Sequence, residues 1–240
     1  MYNQLKESSQ LQSLSEHIIS NHTERIYNHL LQLKTRGTKN SNHVVFILDN
    51  SGFELYTDLC FADFLLEKGF CEQVRFHVKD IPWFVSDVMR DDFHWTVQQC
   101  AQSSEKEISL LGGRWQQHVN DGRFVVVNKP YWTYGSDYAA MNSLDGALYD
   151  ELAEASLIIL KGDLNYRKLV GDRAWNTETS FEEALHGFCP APLCTLRTLK
   201  ADVVVGLAEG KAQELEQLNE KWMVSGEYAV VQFCKNVVHK

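Results

Sequence analysis

The chain has few of the residues that build fibres, linkers and membrane spans. It holds 4 prolines and 14 glycines in 240 residues, which excludes collagen-like and linker-dominated designs. No run approaches the ~18 consecutive apolar residues that a spanning helix needs, so no membrane partner is expected. The N-terminal MYNQLKESSQ lacks the charged-then-apolar layout of a signal peptide. An intracellular setting follows as the expectation, cytoplasmic with the nucleus open. Basic residues are outnumbered, 23 Lys+Arg against 32 Asp+Glu, for a net charge of −9. That balance argues against a sequence-independent nucleic-acid binder, whose affinity depends on a basic surface neutralising phosphates.

Several chemical signatures are also missing. The six cysteines Cys60, Cys71, Cys100, Cys189, Cys194 and Cys234 form no CxxC pair, so they read as free, mostly buried thiols rather than metal ligands. The nine histidines show no HExxH spacing, and His17 and His22 read as the flank of a helix. GxxxxGK[ST], GxGxxG after a strand and the GxSxG elbow are all absent, which removes the usual nucleotide-cradle and hydrolase-elbow readings. Gly112-Gly113 lies between helix-like segments and reads as a break.

What is present is a core and an alternation. Apolar residues make up 44% of the chain, with 6 Trp, 9 Tyr and 12 Phe, enough for one sizeable domain. Leu11, Leu14, Ile18, His22, Ile26, Leu30 and Leu33 recur at three- and four-residue steps, the stripe of an amphipathic helix. Buried strands then read at 43–48, 74–78, 124–127 and 157–160, with further strands at 193–196, 203–205 and 228–233. Helices fit 54–68, 87–102, 105–119, 144–155 and 211–219. Strands alternating with helices predict an α/β protein, a three-layer Rossmann-like fold with a mostly parallel central sheet, preceded by an N-terminal helix.

In such sheets ligands gather at the carboxyl ends of the strands. Three polar clusters fall there: Asp49-Asn50-Ser51-Gly52, Ser86-Asp87, and Lys161-Gly162-Asp163-Leu164-Asn165-Tyr166-Arg167. Two aspartates and an asparagine amide make a hard oxygen donor set suited to Mg²⁺ or Mn²⁺. Lys161, Arg167, Arg197 and Lys200 would bring positive charge, as a phosphate clamp requires. Metal plus cationic clamp is the equipment of phosphoryl transfer. The competing reading is that Asp49-Asn50 and Ser86-Asp87 are turns and helix caps. The strand-then-Asp pattern departs from haloacid-dehalogenase phosphatases, which need a second Asp where Ser51 stands.

The runs Phe46–Leu55, Ile81–Asp87, Lys161–Leu169 and Arg197-Thr198-Leu199-Lys200 together resemble the DUF89 family. Within it they are most similar to the damage-control phosphatase branch carrying an RTxK motif, subfamily III, the acidic residue methyltransferase 1 group. The resemblance runs from about Val44 to Phe233. It implies a metal-dependent phosphatase of small phosphometabolites such as fructose 1-phosphate and fructose 6-phosphate, activated by Mn²⁺, Co²⁺ or Ni²⁺. By motif, Asp49, Asn50 and Asp87 would hold the metal. Asp49, Asn50 and the segment Asp163, Leu164, Asn165, Tyr166 and Arg167 would contact substrate. Lys200, within Arg197-Thr198-Leu199-Lys200, would bind its phosphate, with Arg167 helping to neutralise developing charge. The residues leave open whether Asp49 only ligates or also attacks phosphorus.

The resemblance implies an alternative too, S-adenosylmethionine-dependent methylation of protein glutamates, with Glu54 and Asp87 facing the methyl donor. The first turn, Asp-Asn-Ser-Gly, offers oxygens to a metal rather than the Gly-rich cradle usual for that donor, which ranks the phosphatase first. Relatives in this branch carry a helical domain before the α/β half. Residues 1–42 are thus expected to be its remnant helix and linker, and residues 43–240 the α/β catalytic domain. A shortened, non-catalytic form is the third expectation.

Overall fold

A computed structural model describes residues 15–36 and 42–235. Among the described residues seven strands form one sheet: β1 Ile18–Asn21, β2 His43–Ile47, β3 Gln73–Val78, β4 Phe124–Asn128, β5 Leu157–Lys161, β6 Leu193–Thr198 and β7 Ala229–Cys234. Their order is β1-β7-β6-β5-β2-β3-β4. Every pairing is parallel except β6 with β7, so the sheet is mostly parallel, as the strand–helix alternation predicts.

The central strands are β-branched and apolar because both faces are covered. Val45 and Ile47 of β2, with Ile158 and Leu160 of β5, face one core. Val44 and Phe46, with Leu157 and Ile159, face the other. The second core is roofed by α1 Thr23–Arg36, α2 Phe53–Glu67, α3 Arg90–Ala101 and α4 Lys106–Asn120. The first is roofed by α5 Met141–Leu144, α6 Gly146–Ala153, α7 Gly162–Val170, α8 Phe181–Ala184 and α9 Lys211–Leu218, together with short 3₁₀ turns at Pro130–Thr133 and Tyr138–Ala140.

Four local expectations change. The helix read from Leu11 to Leu33 is interrupted: Leu11 and Leu14 lie outside the described residues, and Ile18–Asn21 is a strand pairing with β7. The β-branched pair Ile18-Ile19 suits a strand. The Asn21 side chain then accepts hydrogen bonds from the backbone N–H and hydroxyl of Thr23, at 3.0 and 2.6 Å, which starts α1 there. Ile26 and Leu30 keep the buried stripe. His22 falls between the two elements, where its Nδ1 accepts from the Phe233 N–H. Through β1, part of the expected N-terminal segment is joined to the sheet.

Val203–Val205 is not a strand. Its backbone groups are taken by side chains instead: Val203 O by Arg197, Val205 N–H by the Tyr166 hydroxyl and Val205 O by Gln232. The helix expected over 144–155 is split at Asp145, whose carboxylate accepts from Leu148 N–H and caps α6.

Gly112-Gly113 does not break α4. Gly112 is the point where α4 crosses the end of α3, and a Cβ there would lie 2.1 Å from the Ala101 backbone nitrogen. Gly113 has open space. Gly112→Ala is therefore expected to destabilise the fold by at least ~1–3 kcal/mol through overpacking. Gly113→Ala should gain up to ~1 kcal/mol of helix propensity. Urea unfolding of the pair checks the contrast.

Candidate active site

The chain runs outward through β2, β3 and β4, then returns to place β5 on the other flank of β2. The connections therefore diverge between β2 and β5, and a crevice opens at the carboxyl ends of those strands. A cavity of about 370 Å³ lies there, lined among others by Asp49, Asn50, Glu54, Lys161, Asp163 and Lys200.

Strand register sets the geometry. Ile47 is level with His77 of β3 and Leu160 of β5. Two residues on, Asp49, Lys79 and Gly162 emerge side by side. The chain at 86–89 then inserts between Asp49 and Lys79: Val88 N–H donates to Asp49 O, Lys79 N–H to Val88 O, and Asn50 bridges Asp87. Backbone pairing brings Asp87 beside Asp49.

Gly162 (φ +83°) makes room for the Asp49 carboxylate, since a Cβ there would lie 1.9 Å from Oδ2. The Asn50 amide donates to Asp49 Oδ2 at 3.0 Å and to Glu54 Oε2 at 2.8 Å, while its oxygen accepts from Ser86 Oγ at 2.6 Å. The Phe84 N–H donates to Asp87 Oδ2 at 2.8 Å, so Asp87 ties down its own loop, and α3 begins after it at Arg90 rather than at Asp87.

The cluster is acid-rich. Asp49, Glu54, Asp58 and Asp87 face two ammonium groups, Lys79 and Lys161. Burial pushes the Asp49 carboxyl up to about 6; Lys79 opposes the shift, and Glu54 and Asp87 add to it. Burial likewise pushes Asp58 up to about 6 against the pull of Lys161.

The chain matches known proteins along most of its length. A family model described as the damage-control phosphatase ARMT1-like domain matches residues 2–215. The chain belongs to this family. "Damage-control phosphatase ARMT1" of Danio rerio is 48% identical over 200 residues, 83% of this chain and 44% of that protein. The Homo sapiens protein of the same name is 44% identical over 224 residues, 93% of this chain and 51% of its own length. That of Xenopus laevis is 42% identical over 231 residues, covering 95% and 52%. The chain spans about half the length of the curated relatives it matches.

In this ARMT1-like chain the expected site residues divide. Asp49, Asn50, Glu54, Asp163 and Lys200 meet at one cavity, with Asp87 bridged to Asn50. Asn165 and Tyr166 are fully buried and structural. Asn165 donates to Leu48 O and Lys161 O and accepts from the Tyr138 hydroxyl; Tyr166 donates to Gln232 and accepts from Val205 N–H. Packing and hydrogen bonds engage both side chains, away from the cavity lining.

Leu164 and Arg167 line a different cavity of about 270 Å³ beside Trp83, Phe84 and Lys168, where Arg167 pairs with Asp172 at 2.7 Å. In the RTxK motif, Leu199 is core. Arg197 lines the same cavity, but its guanidinium is buried and engaged by Asp163, Ala201 O and Val203 O, 4.2 Å over the Tyr166 ring. Thr198 and Lys200 are exposed at the cavity.

Lys79 and Asp58 belong to the cluster but escaped the sequence reading. Strand register from Asp49 points to Lys79; Asp58, at i+4 from Glu54 on α2, could have been found from helical spacing. Among the described residues no disulfide links the six cysteines.

Proposed function

We propose that this chain is a metal-dependent phosphatase of small phosphorylated metabolites, with sugar phosphates such as fructose 1-phosphate and fructose 6-phosphate as its substrate class. The observation that carries the reading is the meeting of Asp49, Asn50 and Asp87 with Lys200 and the N-terminus of α7 at the divergence of β2 and β5.

The residues fit a divalent cation on three grounds. The donors are hard oxygens. The carboxylates outnumber the lysines facing them, and a glycine cradle holds Asp49 in place. Among the described residues no three His, Cys, Asp or Glu side chains converge as a ligand set, so the Asn50 amide is needed as third donor. A half-turn of that amide would put its oxygen beside Asp49 and its NH₂ by Ser86 Oγ, at the cost of its bond to Glu54. Asp49, Asn50 and Asp87 would thus hold Mn²⁺, Co²⁺ or Ni²⁺, with Mg²⁺ also suited to such a set. When bound, the cation supplies Lewis-acid polarisation of a phosphoryl oxygen.

The remaining work falls to the protein. Lys200 offers an exposed ammonium to the phosphate, and its backbone N–H is held by Asp163 Oδ1 at 3.2 Å. The first turn of α7 turns its N–H groups and positive dipole end to the same space. Arg197 keeps Asp163 oriented. Lys161, at 2.9 Å from Asp58 and 3.3 Å from Glu54, fixes the acidic wall of the cavity.

Phosphate release from a panel of sugar phosphates by the metal-stripped chain, with each metal restored separately, tests the reading. Restored turnover is expected, and Asp49→Asn should lower it at least ~100-fold with the fold intact by circular dichroism. Turnover indifferent to metal, or unchanged in Asp49→Asn, would sink it.

A further inference from the structure

Lys79 is 1% exposed, and its ammonium lies 3.8 Å from Asp49 Oδ1 and 3.6 Å from Asp87 Oδ1. Both distances exceed a hydrogen bond, and Nζ has no hydrogen-bond partner among the described residues. Lys161 in the same cluster closes to 2.9 Å on Asp58, so the crevice does not prevent a lysine from clamping a carboxylate. Lys79 is held off by its backbone. Its N–H donates to Val88 O and it bridges Met89, which delivers the side chain midway between the two aspartates. An ammonium so placed acts through its field, with its three protons left unspent.

The charges decide what that field does. The four carboxylates of the cluster and Lys161 sum to −3, so a divalent cation without Lys79 would leave the loaded centre at −1, repelling an anion. The buried ammonium of Lys79 brings that sum to zero and at the same time repels the cation, and at this depth the interaction is poorly screened. We infer that Lys79 is a positioning residue that loosens the hold of Asp49 and Asp87 on their metal ion and keeps the loaded centre from turning negative towards a phosphate. The inference rests on the metal reading proposed above.

Calorimetric titration of Mn²⁺ into the metal-stripped full chain, as wild type, Lys79→Met and Lys79→Gln, tests it. A second titration adds inorganic phosphate to the Mn²⁺-loaded proteins. Both variants are expected to bind Mn²⁺ at least ~10-fold tighter and phosphate at least ~10-fold more weakly. A merely structural lysine moves the first result the other way, because losing it disorders the aspartates and weakens the metal. Unchanged or weaker Mn²⁺ binding in both variants therefore overturns the inference, as does failure of both to fold even with Mn²⁺ present. Wild type that takes up no Mn²⁺ removes the metal reading itself, a result distinct from wild type that binds and variants that do not tighten.

Discussion

Gly162→Ala is expected to lower metal-restored phosphate release at least ~100-fold while far-UV circular dichroism stays native. The residue sits at φ +83°, a region that costs a Cβ-bearing residue about 1–2 kcal/mol. The larger effect is local. The new methyl would lie 1.9 Å from Asp49 Oδ2 and 2.5 Å from its Cγ. Neither backbone can retreat, because Gly162 joins β5 to α7 and Asp49 leaves the centre of the sheet. The Asp49 carboxylate must therefore swing out of the crevice, and displacement of about 1 Å in a reacting constellation costs on the order of 100-fold. Metal titration of the variant should show the same loss, since Asp49 is the first of the proposed donors. Native metal affinity together with native turnover would mean that the Asp49 carboxylate has no part in the site.

Why Gly162 is a glycine illustrates what the sequence could and could not reveal. The layered α/β fold was legible because buried strands leave continuous β-branched runs such as His43–Ile47 and Leu157–Lys161, punctuated by amphipathic helices. Asp49, Asp87 and the 161–167 cluster were legible as polar groups following such runs. Register was not. That Asp49, Lys79 and Gly162 stand abreast depends on which strand lies between which, and strand order leaves no local trace in the sequence.

The same holds for β1. Its Ile18-Ile19-Ser20-Asn21 fits a helical stripe as well as a strand, and only the partner β7, some 210 residues away, decides between them. Burial was the second thing hidden. Asn165 and Tyr166 carry polar groups typical of a binding loop, yet α7 turns them inward to satisfy Leu48 O, Lys161 O and Gln232.

Arg197→Lys is expected to lower the unfolding free energy by about 3 kcal/mol, the low end of the range for breaking a buried pair, and the melting temperature by about 6–12 °C. Charge is conserved in this substitution, so the loss isolates the guanidinium fork. Arg197 spends it on Asp163 through Nε at 2.8 Å and Nη2 at 2.7 Å, on Ala201 O at 3.1 Å and on Val203 O. A lysine reaches one of these acceptors and leaves the others buried without a donor. The low end applies because the Asp163 side chain retains 16% exposure.

Thermal denaturation and steady-state kinetics of the variant separate this role from a phosphate clamp. A clamp would leave the melting temperature unchanged and raise KM. The buried fork predicts a lowered melting temperature, with turnover falling only as far as Asp163 and the Lys200 backbone lose their place. Asp163→Asn, which keeps the side chain's size and removes the charge facing Arg197, should destabilise by a comparable amount, and the double variant by less than the sum, because both act on one contact. Full additivity would show that Arg197 and Asp163 serve the crevice separately.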